Sequence, residues 1–599
     1  MAVQQRTEAG ELFAGPRTTR RPAVQAREHA VAAGHHLAAL AAQRILDKGG
    51  NAADAGVAAG LCIGVLLPDL VSVGGVAPII YYSAETNDVS TISGVGRWPK
   101  AASIEAVRDE RTGNIARDLR CCVVPAAMDA WLLALDRFGT MSFGEVAADA
   151  IAICERGFVL YDLLARAINA KAEKLAGWPG SAAVFTPNGR PLQEGEVVFQ
   201  RDLGRTLRRL AEAEAAAWGP NPPAPFPKRE GGEARLRQAG LQAARDLFYR
   251  GEIAQELARF SRENGGLLDE DDLAGFAVKL EPPIRTTYRD YEINGCGPWS
   301  QGPTLPIALN IVEGYDLRAL GHNSPQYLHL IAEALKAALS DRHHYIGDPE
   351  FIEVPIERLL SKEHAARWRE RIDPRRACPE MPARLDVDGR DGHEPRPGHS
   401  RAAVAPDTSY VCVVDKQGNV FSATPSDGFG EVPLVPGLGF IISSRGLQSW
   451  LDPEAPASVR PGKRPRLTTN PFILFKDGKP IMPFGTPGAD VQPQAMLQFV
   501  LNVVEFGMNP QEAVEAPRLA SYSMPLSGDP HPYRPNLLKL EARAGREAFE
   551  GLAARGHDVQ PWPDWHPAAG SVCGIWIDRE RCTLTAGADP RRVAYALGW

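Results

Sequence analysis

The chain has 599 residues, of which 44% are hydrophobic and 23% are charged, and its formal net charge is -7. This composition is typical of a folded globular protein and excludes a disordered, collagenous or coiled-coil chain. The acidic balance leaves no surplus of basic residues to neutralise phosphates, so we expect a small-molecule partner rather than nucleic acid. At roughly 150 residues per domain, the length corresponds to about four domains or to one large layered domain.

Nine cysteines are scattered along the chain without a CxxC pair, so neither a disulfide framework nor a zinc site is indicated. We expect no metal and no other cofactor. The first thirty residues contain no apolar run of the length of a signal peptide. The most apolar stretch, residues 52–80, is broken by Asp54, Pro68 and Asp69 before it reaches the roughly 20 apolar residues of a spanning helix. The expectation is a cytoplasmic protein without a membrane partner.

The first half of the chain is predicted to be mainly helical. Helical periodicity runs over residues 30–48, and Asn51 is predicted to cap a second helix. Two strands joined by a polar turn follow within residues 77–94. Helical patterns dominate from 120 to 210 and end at a segment rich in proline and glycine, residues 218–232, which we interpret as a surface insertion.

The second half contains the junction on which the functional hypothesis depends. Residues 326–342 are predicted to form an amphipathic helix, with Glu333 and Asp341 on its solvated side. Residues 378–407 are polar, without periodicity, and are predicted to be a mobile linker. The strand that follows, within residues 408–414, is apolar on both faces, which is typical of a strand buried between two layers.

Thr408 lies where the linker meets this buried strand. A threonine at such a junction has one recognised chemical use, as the new N-terminus of a chain that cuts itself. If the bond from Asp407 to Thr408 is broken, the Thr408 hydroxyl gains its own α-amine as an adjacent general base. A free α-amine has a pKa of about 7.7–8.0, so it can accept the hydroxyl proton near neutral pH. The pattern alone also fits a β-branched residue that opens a strand.

Several stretches resemble the γ-glutamyltransferase family of N-terminal nucleophile (Ntn) hydrolases, and their order and spacing carry the resemblance. They are ILDKGGNAADAGVAA (45–59), VSVGGVAPIIYY (71–82), NGGLLDEDDLAGF (264–276), GHNSPQYLHLIAEALKAALSDRHHYIGDPEF (321–351), DTSYVCVVDKQGNVFSAT (407–424) and GKRPRLTTNPFILFKDGKPIMPFGTPGADV (462–491). The resemblance implies an α/β (α+β) fold, a four-layer αββα sandwich of the Ntn-hydrolase type. It also implies one precursor cut into a large subunit, residues 1–407, and a small subunit, residues 408–599, which remain together as one composite domain.

The resemblance also assigns catalytic roles. Thr408 occupies the nucleophile position of the family, and Ser426 lies where a hydroxyl residue hydrogen-bonds the amine of the nucleophile. Gly488 and Ala489 stand where a Gly-Gly pair offers two backbone amides to the oxyanion, and alanine is acceptable there if its φ is negative. Ser426 could otherwise be a turn residue, and residues 488–489 a tight loop without a catalytic part.

Most of the groups that hold the glutamyl α-carboxylate and α-amine in the family are absent. Val95 stands where an arginine clamps the carboxylate, and Arg97, two residues later, could lie on the same strand face. Gln448 replaces an aspartate that binds the amine, and a neutral amide cannot balance an ammonium. Arg445 adds a cation where the family carries acids. The remaining candidate substrate-binding residues are Ser409, Arg466, Thr468 and Thr469.

These departures favour an acyl group that is acidic or neutral and lacks an α-amine. Arg97, Arg445 or Arg466 could pair with its carboxylate, although each could also be a solvated surface arginine. We expect a self-cleaving N-terminal threonine hydrolase or acyltransferase that acts on a small amide or acyl substrate, for example of oxalyl type. The alternatives are C–C bond cleavage, as in homologues from lincosamide and pyrrolobenzodiazepine biosynthesis, true γ-glutamyl transfer or glutathione hydrolysis, and a non-catalytic binding protein. The sequence leaves open whether the protein forms a homo-oligomer.

Overall fold

A computed structural model describes residues 19–218, 232–387, 389 and 408–599 of the chain. The fold mixes helices and strands. The strands are β1 (Val24–Ala26), β2 (Ala30–Ala33), β3 (Ile79–Ser83), β4 (Asp88–Ile92), β5 (Phe158–Val159), β6 (Val197–Val198), β7 (Leu280–Glu281), β8 (Ile284–Tyr288), β9 (Tyr291–Gly295), β10 (Val411–Val414), β11 (Val420–Ala423), β12 (Phe472–Lys476), β13 (Lys479–Gly485), β14 (Leu519–Ser521), β15 (Leu537–Glu541), β16 (Asp558–Trp562), β17 (Cys573–Asp578), β18 (Thr583–Ala588) and β19 (Tyr595–Gly598).

The helices of the described residues vary from four to 21 residues in length. They are α1 (His36–Asp47), α2 (Ala52–Leu66), α3 (Ile104–Val107), α4 (Ala127–Phe138), α5 (Phe143–Arg156), α6 (Asp162–Ala170), α7 (Ala172–Ala176), α8 (Pro179–Phe185), α9 (Arg201–Ala216), α10 (Gly232–Tyr249), α11 (Glu252–Glu263), α12 (Glu270–Ala274), α13 (Thr304–Val312), α14 (Leu317–Leu320), α15 (Pro325–Tyr345), α16 (Ile356–Leu359), α17 (Lys362–Arg371), α18 (Gln492–Val504), α19 (Pro510–Glu515) and α20 (Arg546–Ala554). None of them combines the length and the apolarity needed to cross a bilayer.

Two seven-stranded sheets form the centre of the fold. The first has the strand order β1-β18-β17-β13-β12-β9-β8, and the second has the order β19-β2-β10-β11-β3-β4-β7. Their inner faces meet in one apolar cluster, in which Ala32 and Cys412 of the second sheet lie with Ile473, Cys573 and Ile575 of the first. Strand β10 is paired on both edges, with β2 and β11. It is therefore enclosed both within its sheet and between sheets.

Helices pack against both sheets, because a strand that is apolar on both faces needs a partner on each. Helix α2 packs on β10 and β11, and its contact is close: a Cβ at Gly56 would lie 2.2 Å from the ring of Phe421. Helices α13, α15 and α18 share a second apolar core with β12 and β13 of the first sheet. Thr408 lies where the chain enters β10.

The structure confirms several predicted elements. The two early strands pair as the antiparallel hairpin β3–β4, and Asn51 caps α2 in a capping box with Asp54. Residues 326–342 lie inside α15, and β10 is buried throughout. The helix predicted from residue 30 was wrong in its first part: residues 30–33 form β2, because pairing with β10 and β19 overrides the local helical pattern.

The prediction that Glu333 and Asp341 are solvated was wrong, since both are buried. Helix α15 is enclosed on nearly every side, so even its charged residues find internal partners: Lys336 donates to Glu333 at 2.9 Å, and His364 lies 2.7 Å from Asp341. The predicted surface insertion, residues 218–232, and the linker, residues 378–407, fall mostly outside the described residues.

Candidate active site

Thr408 lies three residues before β10 and is completely buried. Its backbone N–H donates to the Leu70 carbonyl at 3.0 Å, and its φ is +89°, a left-handed value that a β-branched residue rarely adopts. The next residue, Ser409, donates its N–H to Pro425 at 2.9 Å. These backbone bonds fix the start of β10 against two neighbouring segments of the chain.

The Thr408 Oγ1 atom lies 2.7 Å from the Oγ atom of Ser426. The backbone N–H of Ser426 donates to the Val76 carbonyl at 2.9 Å, and the Val76 N–H donates to the Ser426 carbonyl at 3.3 Å. These two hydrogen bonds place the Ser426 side chain toward Thr408. Ser426 is itself completely buried. The contact differs from the predicted one: Ser426 was expected to bind the amine of Thr408, whereas here its hydroxyl contacts the Thr408 hydroxyl, and the Thr408 N–H donates to Leu70.

A buried cation lies directly behind Ser426. Arg445 donates from Nη2 to Ser426 Oγ at 2.5 Å, and its Nε lies 3.8 Å from a carboxylate oxygen of Asp427. Asp427 accepts further hydrogen bonds from the hydroxyls of Ser443 and Ser444, at 2.5 and 2.7 Å. The Arg445 guanidinium is thus held by buried partners, and is not a solvated surface group.

Two further candidate residues, Gln448 and Thr468, bind each other. The Gln448 amide donates to Thr468 Oγ1 at 3.1 Å and accepts from the Thr468 backbone N–H at 3.2 Å. The hydroxyl of Thr469, the following residue, is buried and has no hydrogen-bond partner among the described residues. One hydroxyl of the predicted pair is therefore engaged, and the other is available to a ligand.

The remaining arginines lie in different surroundings. Arg466 is buried and donates to the carbonyls of Arg342 and Ile346, and burial, followed by the charge of Arg342, lowers its pKa to about 9. Arg97 is partly exposed and pairs with Glu350 at 2.9 Å. Val95 faces an apolar cluster that includes Leu467. The structure therefore joins Arg97 to an acidic residue and not to Thr408 or Ser426.

The loop of Gly488 and Ala489 has an unusual backbone. The φ of Ala489 is +49°, so the condition under which alanine is acceptable here, a negative φ, is not met. Such a conformation costs about 1–2 kcal/mol for a residue with a Cβ. Gly488 has a φ of +127°. Among the turn, loop and cap hydrogen bonds between backbone groups of the described residues, none is donated by the N–H of Gly488 or of Ala489. Two amide donors of this kind are what an oxyanion requires.

Sequence reasoning missed the residue that holds this loop, Gln301. The Gln301 amide donates to the carbonyls of Ala489 and Thr468, at 2.9 and 2.7 Å. Its oxygen accepts from Arg342 at 2.9 Å, and Arg342 also pairs with Asp490. Gln301 thus joins the candidate oxyanion loop to the Thr468 segment. Its only sequence signal was its place in a glycine-rich and proline-rich turn before α13.

A second set of missed residues lines a cavity beside Thr408. Its charged members are Asp69 and Arg592, and Arg592 reaches to within 3.5 Å of the Thr408 carbonyl oxygen. Ser409 also lines this cavity, and its Oγ would lie 1.9 Å from a Cβ at Gly34, so glycine is required there. No sequence motif marked Asp69 or Arg592.

One group of side chains away from Thr408 has the composition of a metal site. The ligand atoms of His329, Glu333 and His557 lie within 4.8 Å of one another. The Lys336 ammonium, however, already donates to Glu333 at 2.9 Å and to the carbonyl of Cys378 at 2.6 Å. A divalent cation here would add two charges beside a buried ammonium, so this geometry favours an internal ion pair over a metal centre.

Comparisons with known proteins agree with the resemblance seen in the sequence. The profile of the gamma-glutamyltranspeptidase family matches residues 38–599. The chain is 30% identical over 573 residues to the glutathione hydrolase-like YwrD proenzyme of Bacillus subtilis (strain 168), covering 94% of this chain and 97% of that protein. It is 34% identical over 572 residues to the acylase ACY 1 proenzyme of Pseudomonas sp. (strain SE83), covering 93% of this chain and 91% of that protein.

A solved structure extends the comparison to three dimensions. The cephalosporin acylase from Bacillus halodurans superimposes with a TM-score of 0.82 at 28% identity, covering 98% of this chain and 98% of that one. The family profile matches most of the chain, and the relatives align over nearly their full lengths. The chain belongs to the gamma-glutamyltranspeptidase family, and it is an enzyme of the Ntn hydrolase or acyltransferase type.

Proposed function

We propose that the chain is a precursor that cuts itself between Asp407 and Thr408, and that the mature protein is an N-terminal threonine amide hydrolase or acyltransferase. The observation that carries the proposal is the 2.7 Å contact between the hydroxyls of Thr408 and Ser426 in a buried site at the entrance to β10. Two relatives named proenzymes align over 91% or more of their own lengths, and this supports the precursor.

The proposed reaction uses two groups of Thr408. Its hydroxyl oxygen attacks the carbonyl carbon of the substrate amide, and its free α-amine accepts the hydroxyl proton. The amides of Gly488 and Ala489 stabilise the oxyanion. When the C–N bond breaks, the α-amine passes the proton to the leaving nitrogen and an acyl ester remains on Thr408. Water or an acceptor amine then attacks the ester, and Thr408 regains its proton.

We propose that the acyl group carries a carboxylate and lacks an α-amine. The Arg445 guanidinium is one hydroxyl away from Thr408, so a carboxylate next to the reacting carbonyl can reach it. Gln448 is neutral and is already bound to Thr468, so it offers no counter-charge to an ammonium. An oxalyl-type or other dicarboxylic acyl group satisfies these conditions. The relative named cephalosporin acylase supports a substrate that is not γ-glutamyl.

The proposed chain organisation is the four-layer αββα sandwich, with residues 1–407 and 408–599 as its two subunits. The apolar cluster between the sheets and the helices packed on their outer faces support this arrangement.

Incubation of the purified chain, followed by mass spectrometry and N-terminal sequencing, tests the precursor. Fragments of 407 and 192 residues are expected, the shorter one beginning at Thr408. Thr408→Ala should remain intact and Thr408→Ser should be cut. A panel of oxalyl, glutaryl and γ-glutamyl anilides then tests the acyl group. Faster turnover of the γ-glutamyl anilide than of the other two would contradict the proposal and favour γ-glutamyl transfer.

A further inference from the structure

The turn that accepts the Thr408 N–H also carries a carboxylate. This turn follows α2, and its Leu70 carbonyl accepts from the Thr408 N–H at 3.0 Å. The turn is held in place from a second side, because the Phe429 N–H donates to the Pro68 carbonyl at 2.8 Å. Asp69 is therefore fixed next to the residue that binds the nitrogen of the proposed nucleophile.

Asp69 and Thr408 line the same small cavity. Its volume is about 30 Å³, which is room for a water molecule but not for an organic ligand. The Oδ1 atom of Asp69 is buried and has no hydrogen-bond partner among the described residues. Native proteins rarely leave a buried acceptor without a donor, and the proposed cut supplies one.

Cutting the bond between Asp407 and Thr408 changes the number of donors at the Thr408 nitrogen. The peptide nitrogen has one N–H group, and the Leu70 carbonyl accepts from it. A neutral α-amine has two N–H groups and one lone pair. To act as the base, the amine must direct this lone pair at the Thr408 hydroxyl, so its second N–H needs an acceptor of its own.

Ser426, which was expected to bind this amine, is already engaged by other groups. Its oxygen accepts from Arg445 at 2.5 Å, and the same oxygen lies 2.7 Å from the Thr408 hydroxyl. Asp69 Oδ1, by contrast, is an acceptor on the wall of the cavity that Thr408 lines. The carboxylate is thus the better acceptor for the second N–H.

We propose that, in the cut protein, the Asp69 carboxylate accepts a hydrogen bond from the α-amine of Thr408 and, with the Leu70 carbonyl, turns its lone pair toward the Thr408 hydroxyl. The inference rests on the proposed function, because it requires the cut. When the amine takes the hydroxyl proton it becomes an ammonium, and the carboxylate then lies beside a positive charge. Asp69 therefore raises the pKa of the amine and opposes the effect of burial on it.

The surrounding charges leave Asp69 ionised at pH 7. Burial raises the pKa of Asp69 to about 6, and the charges of Lys171 and Arg592 act in the opposite direction. Arg592 also lies 3.5 Å from the Thr408 carbonyl oxygen, so its charge opposes an ammonium at Thr408. The other titratable side chains in or beside the cavity are neutral at pH 7, because burial lowers the pKa of His35 and raises those of Tyr161, Tyr410 and Cys573.

The pH dependence of the cut protein tests the proposal. The measured quantity is kcat/KM from pH 5 to pH 10, for the anilide that the unchanged protein turns over fastest, and its acidic limb reports the amine of the free enzyme. Asp69→Asn keeps an oxygen acceptor but loses the charge, so the midpoint of this limb should fall by about 1 pH unit. Asp69→Leu loses the acceptor as well, and its maximal rate should be about tenfold below that of Asp69→Asn.

The rate of cutting separates this role from a structural one. No α-amine exists before the cut, so Asp69→Asn should be cut as fast as the unchanged chain. Asp88→Asn, at an exposed position, is the matched control and should keep the pH profile of the unchanged protein. An equal midpoint in Asp69→Asn and the unchanged protein would overturn the proposal, whatever the rate of cutting.

Labelling of the amine provides a readout that does not depend on catalysis. The rate at which acetic anhydride acetylates Thr408, followed by mass spectrometry against pH, gives the pKa of its α-amine. In the unchanged protein this pKa should be about 8 or higher, and a value below about 7 would overturn the proposal even if no Asp69 variant folds.

The proposed function fails in a different way from the role of Asp69. If no fragment begins at Thr408, both are wrong. If the labelled amine shows the expected difference between the unchanged protein and Asp69→Asn but no donor is turned over, the reaction is wrong and the contact with Asp69 stands. Turnover with the same acidic limb in both proteins rejects the contact and leaves the reaction standing.

Discussion

Arg445 donates a hydrogen bond to the Ser426 oxygen at 2.5 Å, and that oxygen lies 2.7 Å from the hydroxyl oxygen of Thr408. A guanidinium has only donors, so the Ser426 oxygen must accept in the first contact. Ser426 therefore donates its own proton to the Thr408 oxygen, and Thr408 can donate its proton to a base. The arrangement sets a direction for the hydroxyl chain and places a positive charge one residue away from the proposed nucleophile.

The Ser426 hydroxyl should matter for rate more than for binding. Ser426→Ala removes the group that orients Thr408, so we expect acylation to slow by about 10–100-fold with KM changed little. Ser426→Thr keeps a hydroxyl and should retain most of the activity. Stopped-flow measurement of the amine released in the first turnover checks both. A wild-type burst rate in Ser426→Ala would show that the contact is only structural.

The charge of Arg445 should decide which acyl groups are accepted. Arg445→Gln is expected to lower kcat/KM about 100-fold, or ~3 kcal/mol, for donors with a carboxylate next to the reacting carbonyl. Neutral acyl donors should be affected much less, and Arg445→Lys should fall between the two. Arg460→Gln, at an exposed position, is the control. Equal losses for charged and neutral donors would assign Arg445 to positioning Ser426 alone.

Gln301 should act on the candidate oxyanion loop from a distance. It binds the carbonyls of Ala489 and Thr468, and in Gln301→Ala the loop loses the hydrogen bond that holds its left-handed residue. Because oxyanion stabilisation is specific to the transition state, we expect kcat to fall about tenfold with KM nearly unchanged. Gln560→Ala, at an exposed position of β16, is the control. A change in KM alone would contradict this role.

The part of the site that could be predicted from sequence is the part marked by local signals. Thr408 stands where a polar segment without periodicity meets a strand apolar on both faces, and the resemblance placed Ser426 18 residues later as its partner. The structure brings the two residues together, but through the Thr408 hydroxyl and not through the predicted amine. Arg445 was also singled out, as a cation where the family carries acids. Each of these residues lies within or beside a strand or motif that the sequence itself displays.

The rest depends on contacts between residues distant in the chain. Gln301 and Ala489 are 188 residues apart, and nothing in a turn of glycines and prolines indicates which carbonyl its glutamine will bind. The same holds for Arg592, 184 residues from Thr408. The burial of Glu333 and Asp341 follows from elements that surround α15 on all sides, and a helical pattern cannot report it. The φ of Ala489 is likewise imposed by its neighbours.

A pair of histidines should make the folded protein sensitive to acid. His329 of α15 and His557, just before β16, lie on opposite sides of the proposed cleavage point, with Nδ1 and Nε2 2.9 Å apart. His329 Nε2 faces the carbonyl of Asp373 at 2.8 Å, and a carbonyl only accepts, so Nε2 carries the proton and Nδ1 accepts from His557. Both rings are thus neutral in the folded state.

Burial lowers the pKa of both rings, that of His557 to about 3, and the nearby Lys336 adds to the effect at His557. An unfolded histidine has a pKa of about 6.5, so below that pH the unfolded chain binds a proton that the folded pair does not bind. Above pH 6.5 the pair does not lower the free energy of unfolding, and this free energy decreases as the pH falls from 6.5 toward 3. At pH 5 the loss at His557 amounts to about 2 kcal/mol.

Urea unfolding at pH 7.5 and pH 5.0 measures this loss. His557→Gln keeps a polar side chain that does not titrate, so its free energy of unfolding should fall about 2 kcal/mol less than that of the unchanged protein between the two pH values. Because the pair joins the two proposed subunits, native mass spectrometry of the cut protein should also detect dissociation at lower urea at pH 5. An identical pH dependence in His557→Gln would mean that His557 does not contribute to acid sensitivity.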